Sequence, residues 1–158
     1  MLQPWQISVA QLSLSGRQQE AIGILKDEIA RGNLAALVSL ARRYNDAGLT
    51  HGQATDLIAK VEREMNPSDW VIHLELAAAY DQRLGAIPYE EKARRNLEHV
   101  EEAARLGAGA IHCLAAARIW RTGALGVEPN AAKAASWYRR AIEAGSAEAE
   151  TELRRVGL

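Results

Sequence analysis

Gly126-Val127-Glu128-Pro129-Asn130-Ala131-Ala132-Lys133-Ala134-Ala135-Ser136-Trp137-Tyr138-Arg139-Arg140-Ala141-Ile142-Glu143-Ala144-Gly145 is the stretch that decides the fold. Gly126 permits a turn with positive φ. Ala134, Trp137, Tyr138 and Ala141 then follow at i, i+3, i+4 and i+7, which gathers them on one face of an α-helix. Lys133 can lay its stem along the surface while its ammonium stays wet. Trp137 and Tyr138 are large enough to fill the gap that small alanines leave between neighbouring helices. Gly145 ends the helix in the left-handed conformation.

Outward from this stretch the chain repeats itself. Leu40, Ala41 and Tyr44 fall on Leu76, Ala77 and Tyr80 after a shift of 36 residues, the same small-beside-large face twice. Gly107 and Gly145, 38 apart, each precede a new helix, and Gly32 holds the same place earlier. Gly85 to Lys92 and Gly126 to Lys133 both span seven residues, with Ala93 and Ala134 after the lysines. The period is irregular but present.

Read in order, the segments form helix pairs: 5–14 with 17–31, 33–47 with 52–65, 69–84 with 89–106, and 108–121 with 131–144. A last helix over 146–156 caps them. Ser15-x-x-Gln18 and Thr50-x-x-Gln53 are capping-box patterns. Asn66-Pro67-Ser68 stops one helix and starts the next, and Pro88 fits a first-turn position. Ala54, Leu57, Ile58, Val61 and Met65 keep helical spacing. The segment around Ile111–Trp120 is apolar on nearly every side, as expected of a helix in the middle of a stack. No segment alternates with period two. The expected fold is all-α: about four stacked antiparallel helix pairs and a C-terminal capping helix, an α-solenoid occupying 1–158 as one domain.

The stretch 126–145 resembles the second half of a Sel-one-like repeat, a branch of the tetratricopeptide-type scaffolds. That pattern has a Gly-Val turn, a short polar loop, Lys-Ala, Trp-Tyr, an alanine three residues on and a closing glycine. Its first half is matched by Gly32, Ala36, Leu40, Ala41 and Tyr44, and again by Leu76, Ala77 and Tyr80. The third unit departs from the pattern: Asn96-Leu97 replaces Trp-Tyr, and its second helix runs about three residues longer. The first pair is atypical, as terminal repeats facing water are expected to be.

Composition narrows the function classes. With 19 basic and 20 acidic residues the formal net charge is −1, so the basic excess that displaces phosphate counterions is missing and nucleic acid is not an expected partner. No run approaches the roughly 20 apolar residues of a membrane span. The one cysteine, Cys113, excludes an internal disulfide framework and a cysteine-rich zinc site. Residues 1–14 have no basic n-region, and Gln6, Ser8, Gln11 and Ser13 interrupt their apolar run. A cytoplasmic protein is the simpler reading, with a mature exported domain as the other.

No residue pattern for catalysis is found, and no cofactor is expected. Neither HExxH nor a phosphate loop occurs, and no serine stands with His and Asp in a recognisable order. Asp69 with His73 and His99 with Glu102 are helical neighbours that could grip a metal edge-on. The blander reading of His73, which falls on the slot of Leu37, is a partly buried, hydrogen-bonded ring. His112 and Cys113 point about 100° apart on a helix and are poorly placed to share a proton; a small core cysteine is the expectation. Arg-Arg doublets at 42–43, 94–95, 139–140 and 154–155 read as helix surface, with a local anionic contact as the alternative.

The resemblance implies a concave wall, made by the first helix of each pair, that holds a partner protein or peptide. Its geometry selects Val38, Arg42, Asn45 and Asp46 from the second unit, Leu74, Asp81 and Gln82 from the third, and Trp120 and Arg121 from the fourth. Trp120 has a second reading, the core slot that Tyr44 and Tyr80 hold. The expected role is therefore a bacterial interaction scaffold or adaptor without metal or cofactor. One rival is a self-associating assembly module. Another is a hydrolytic enzyme, which has no nucleophile–base constellation behind it.

Overall fold

The computed structural model describes residues 2–158; position 1 of the expected 1–158 domain lies outside the described residues. Among those residues nine α-helices and one short 3-10 turn occur, with no strand. They are α1 (Pro4–Leu14), α2 (Gln18–Ala30), α3 (Leu34–Arg42), α4 (His51–Glu64) and α5 (Trp70–Asp81). Then follow α6 (Tyr89–Arg105), α7 (Ala110–Thr122), the 3-10 turn Ala124–Gly126, α8 (Ala131–Glu143) and α9 (Ala147–Val156). Consecutive helices pack as pairs, α1 with α2, α3 with α4, α5 with α6 and α7 with α8, and α9 lies on α8. The pairs meet through α2 on α3, α3 on α5 and α6 on α7.

Short polar side chains set the helix starts by accepting from backbone N–H groups that no carbonyl can reach. Asn33 Oδ1 accepts from Ala36 at 3.2 Å, Asp69 from Val71 at 3.0 Å, Asn130 from Lys133 at 2.9 Å and Ser146 from Ala149 at 3.0 Å. The Thr50–Gln53 capping box forms in both directions, at 3.1 and 2.8 Å. The Ser15–Gln18 box does not. Ser15 closes α1 instead, its hydroxyl donating to the carbonyls of Gln11 and Leu12, and the reciprocal box at the chain's start belongs to Gln3 and Gln6. Pro88 stands just before the first residue of α6 rather than inside its first turn.

Two further expectations need correction. The helix read over 33–47 stops at Arg42, and 43–48 form a run of turns ending on Gly48 at φ 69°. Helix α7 is not wrapped on all sides, because Ile111 is 72% exposed and Ala115 and Ile119 are only half-buried.

Most of the buried apolar residues fall into two bodies. The first gathers Val9, Leu25, Val38, Ile58 and Leu76 from α1 to α5, together with Leu84. The second gathers Ala104 at the end of α6 with Leu114, Trp137, Tyr138 and Ala149. Tyr138 is wholly buried and Trp137 nearly so, with the guanidinium groups of Arg140 and Arg105 at 5.1 and 5.4 Å from its ring centre. Lys133 places its ammonium 4.0 Å from the ring centre of Trp120, a cation–π contact.

Three of the ion pairs that cross between helix pairs span 33 or 34 residues, and Arg118 also meets Glu148, 30 residues away. Arg42 on α3 meets Glu75 on α5 at 2.9 Å, and Arg95 on α6 meets Glu62 on α4 at 3.3 Å, both 33 residues apart. Arg118 on α7 meets Glu152 on α9, 34 residues away. No helix of the described residues is long and apolar enough to cross a membrane.

Candidate functional site

Helix α5 packs on α3 and on its own partner α6, but makes no comparable packing with α7. The space left between α5 and α7, floored by α6, is a trough of about 540 Å³. Its walls are apolar: Leu74 and Ala78 from α5, Val100 from α6, Ala115 and Ile119 from α7, and Leu125 from the 3-10 turn. Glu75, Asp81, Asn96 and His112 add the polar groups, and Gln6 reaches its edge from α1.

These polar groups differ in how far they are already used. Glu75, 7% exposed, accepts from Arg42 Nη1 at 2.9 Å and from Gln6 Nε2 at 2.9 Å. Arg42 also donates through Nε to Gln82 at 3.0 Å. Burial holds His112 below the ordinary histidine range, so its imidazole is neutral at pH 7. Asp81 is exposed and has no ion-pair or hydrogen-bond partner among the described residues. Asn96 is 7% exposed and its carboxamide likewise bonds to no described residue.

Leu125 carries backbone strain, at φ 58° and ψ 23° between two glycines that take positive φ freely. A non-glycine residue pays roughly 1–2 kcal/mol for that region. In this position Leu125 also borders a smaller hollow of about 150 Å³, which it shares with Tyr80, Asp81 and Asn96.

The structure divides the residues selected from sequence. Leu74 and Asp81 line the trough, whereas Arg42 and Gln82 do not: they bond to each other, and Arg42 also holds the lining residue Glu75. Val38 does not reach the surface: it is 0% exposed, inside the first apolar body. Asn45 and Asp46 are exposed in the turns after α3, where the Asp46 carbonyl accepts from Gln19 of α2, so they are not on a helix face. Trp120 is half-buried against the second apolar body and its indole N–H donates to Glu101. Arg121 donates to Tyr138 at 3.0 Å, and the Tyr138 hydroxyl donates to Glu152 at 2.9 Å. Trp120 thus ties α7 to α6 and α8, and Arg121 serves the α7–α8–α9 packing, rather than the trough. Asn96 was not selected from sequence; its signal was the place where the Trp-Tyr pattern breaks.

Elsewhere the candidate chemistry resolves into structure. His73 Nε2 lies 2.7 Å from the Pro67 carbonyl, which only accepts, so that nitrogen carries the hydrogen. His73 Nδ1 therefore accepts from His99 Nδ1 at 2.9 Å. The His99 ring stacks on Tyr80 at 5.8 Å, and the Tyr80 hydroxyl donates to Glu62 while accepting from Arg95 at 3.2 Å. Burial, then the neighbouring His73, pushes His99 down to about 4. Burial pushes the Cys113 thiol up, away from the thiolate form. Among the described residues no group of three His, Cys, Asp or Glu side chains could hold a metal ion.

Most of the arginine doublets find partners inside the chain, Arg43 donating to Ser39, Arg94 to Glu98, Arg95 to Glu91 and Arg154 to Glu150, while Arg140 lies over the Trp137 ring. A hollow of about 730 Å³ beside Trp5 and Trp70 is rimmed by Asn33 and Asp69, both engaged as helix caps. No protein-family model matches the chain, and no curated protein matches it.

Proposed function

We propose that this chain is a non-enzymatic interaction module, a short α-solenoid of the Sel-one-like, tetratricopeptide-type kind, that holds a partner protein or peptide in the trough between α5 and α7. The observation that carries this reading is the sparse packing between those two helices, which leaves an apolar hollow of about 540 Å³ between them. A well-packed interior leaves few spaces larger than a water molecule, so an open apolar trough is the natural seat for a ligand. The ion pairs spaced 33, 33 and 34 residues apart support the repeat reading, since each joins a helix to its counterpart one pair further on.

Site-specific photocrosslinking tests the reading. A benzophenone side chain placed at Ala78, inside the trough, is expected to capture a partner, whereas the same group at Lys60 on α4 is not. Equal capture at both positions would remove the trough from consideration. Adducts formed only between copies of this chain would make the protein a self-associating module instead.

A further inference from the structure

We infer that the trough takes an extended peptide segment with aliphatic side chains and one lysine or arginine, its main chain bonded to Asn96 and its cation to Asp81. This rests on the partner-holding reading above and gives it a ligand class.

Asn96 stands 41 residues before Trp137, the same distance that separates Gly85 from Gly126. It therefore occupies the slot where the fourth unit buries an indole. A carboxamide in place of an indole removes bulk from the floor between α5 and α7, and the trough opens there. What remains is a side chain 7% exposed whose carboxamide bonds to no described residue and opens onto two hollows. An amide that opens onto a cavity and is not engaged by the chain is free to take a donor and an acceptor from outside. It offers one of each kind, a C=O and an N–H₂, which matches the N–H and C=O of a single peptide unit.

The backbone of that ligand must be extended. In a helix the peptide groups bond to one another, so a helical ligand would leave Asn96 as it found it. An extended segment has both groups free. Its side chains then meet Leu74, Val100, Ile119 and Leu125, which favour aliphatic partners.

Charge fixes the remaining element. Glu75 is already compensated by Arg42, and His112 is neutral. No lysine or arginine lines the trough among the described residues, and Asp81 is the one carboxylate lining it that has no partner there. A cation on the ligand gains from it, while an acidic peptide is repelled.

Selection from a library of random peptides of about twelve residues, the length of a typical groove-bound segment, tests this on the folded protein. Wild type is expected to enrich aliphatic sequences carrying one basic residue, and Ala115→Arg, which fills the trough, is expected to enrich none. The selected peptide should bind Asp81→Lys at least about tenfold more weakly, and exchanging its basic residue for glutamate should restore binding to that variant. Asn96→Leu should also bind about tenfold more weakly, without any fall in melting temperature. Methylating one backbone nitrogen of the peptide should weaken binding to wild type and cost nothing further in Asn96→Leu.

If peptides selected on wild type bind Ala115→Arg equally well, the trough is not the site and both readings fall. If Ala115→Arg abolishes binding but the charge exchange or Asn96→Leu changes nothing, the ligand class proposed here falls and the trough stands. Enrichment of acidic sequences, or of none, also overturns the ligand class.

Discussion

Arg42 Nη1 lies 2.9 Å from Glu75 Oε2, and the carboxylate it neutralises is nine-tenths buried between two helix pairs. A buried charge without its partner is costly, whereas the pair itself contributes little beyond an apolar replacement. Arg42→Ala is therefore expected to destabilise the protein by about 2–4 kcal/mol in urea unfolding. Adding Glu75→Gln to that variant should recover most of the loss. Equal stability of Arg42→Ala and wild type would mean that Glu75 is solvated.

His99 makes stability depend on pH. His99 titrates near 4 in the folded chain and near 6.5 when unfolded. Above pH 6.5 both states are neutral and the folded state keeps its full stability. As pH falls from 6.5 to 4 only the unfolded state takes the proton, so stability is lost by about 3 kcal/mol across that window. Below pH 4 the folded ring is protonated too and this contribution flattens. His99→Asn, whose side-chain N–H can replace the ring donor, should remove most of the slope. A series of chemical denaturation curves from pH 7.5 to about 3.5 measures it directly.

Helix α9 is held by polar contacts as much as by burial, since Ala149 is its one fully buried residue. Glu152 accepts from Arg118 and from Tyr138, whose hydroxyl in turn accepts from Arg121. Tyr138→Phe removes that hydroxyl with no change in shape and is expected to cost about 1–2 kcal/mol. Glu152→Ala should do more locally, raising amide exchange in α9 before it moves the global melting point.

Two glycines with the same φ of 75° separate backbone strain from crowding. At Gly16 an added methyl group meets nothing within 4 Å, while at Gly123 it would lie 3.0 Å from the Val127 carbonyl and from Pro129. Gly16→Ala should therefore cost about 1 kcal/mol from conformation alone. Gly123→Ala should cost clearly more, because the turn into α8 must move as well. Similar melting temperatures for the two variants would show that the turn yields.

The helix pairs were legible in the sequence because their causes are local. Asn33, Thr50, Asp69, Asn130 and Ser146 each start a helix by a short-range bond, and the apolar spacing of Ala54–Val61 and Ala134–Ala141 repeats with the helical period. Ser15 misled because a hydroxyl bonds as readily to carbonyls behind it as to N–H groups ahead, and the close of α1 at Leu14 decided between them. The overlong reading of α3 has a similar origin: Tyr44 and Ala47 pack on the first apolar body from turns, so they carry the look of a helix face without being one.

The site was less legible. Leu74 and Asp81 follow from their register on α5, but Val38 went wrong because α3 lies between α2, α4 and α5 and has no free wall at that position. Arg121 was read as a surface charge because its true partner, the Tyr138 hydroxyl, depends on how α8 crosses α7. Asn96 shows the opposite lesson. A departure from the repeat pattern carried more information than the agreements around it.

The two apolar bodies share no residue, and α6, which packs on both α5 and α7, lies between them as a line of least resistance. Loss of cooperativity should begin there, with residues before Leu84 and residues after Ala104 unfolding as separate units under mild denaturant. Whatever fills the space beside that line touches both units at once. A bound ligand would then act as a staple, turning two independently melting halves into one.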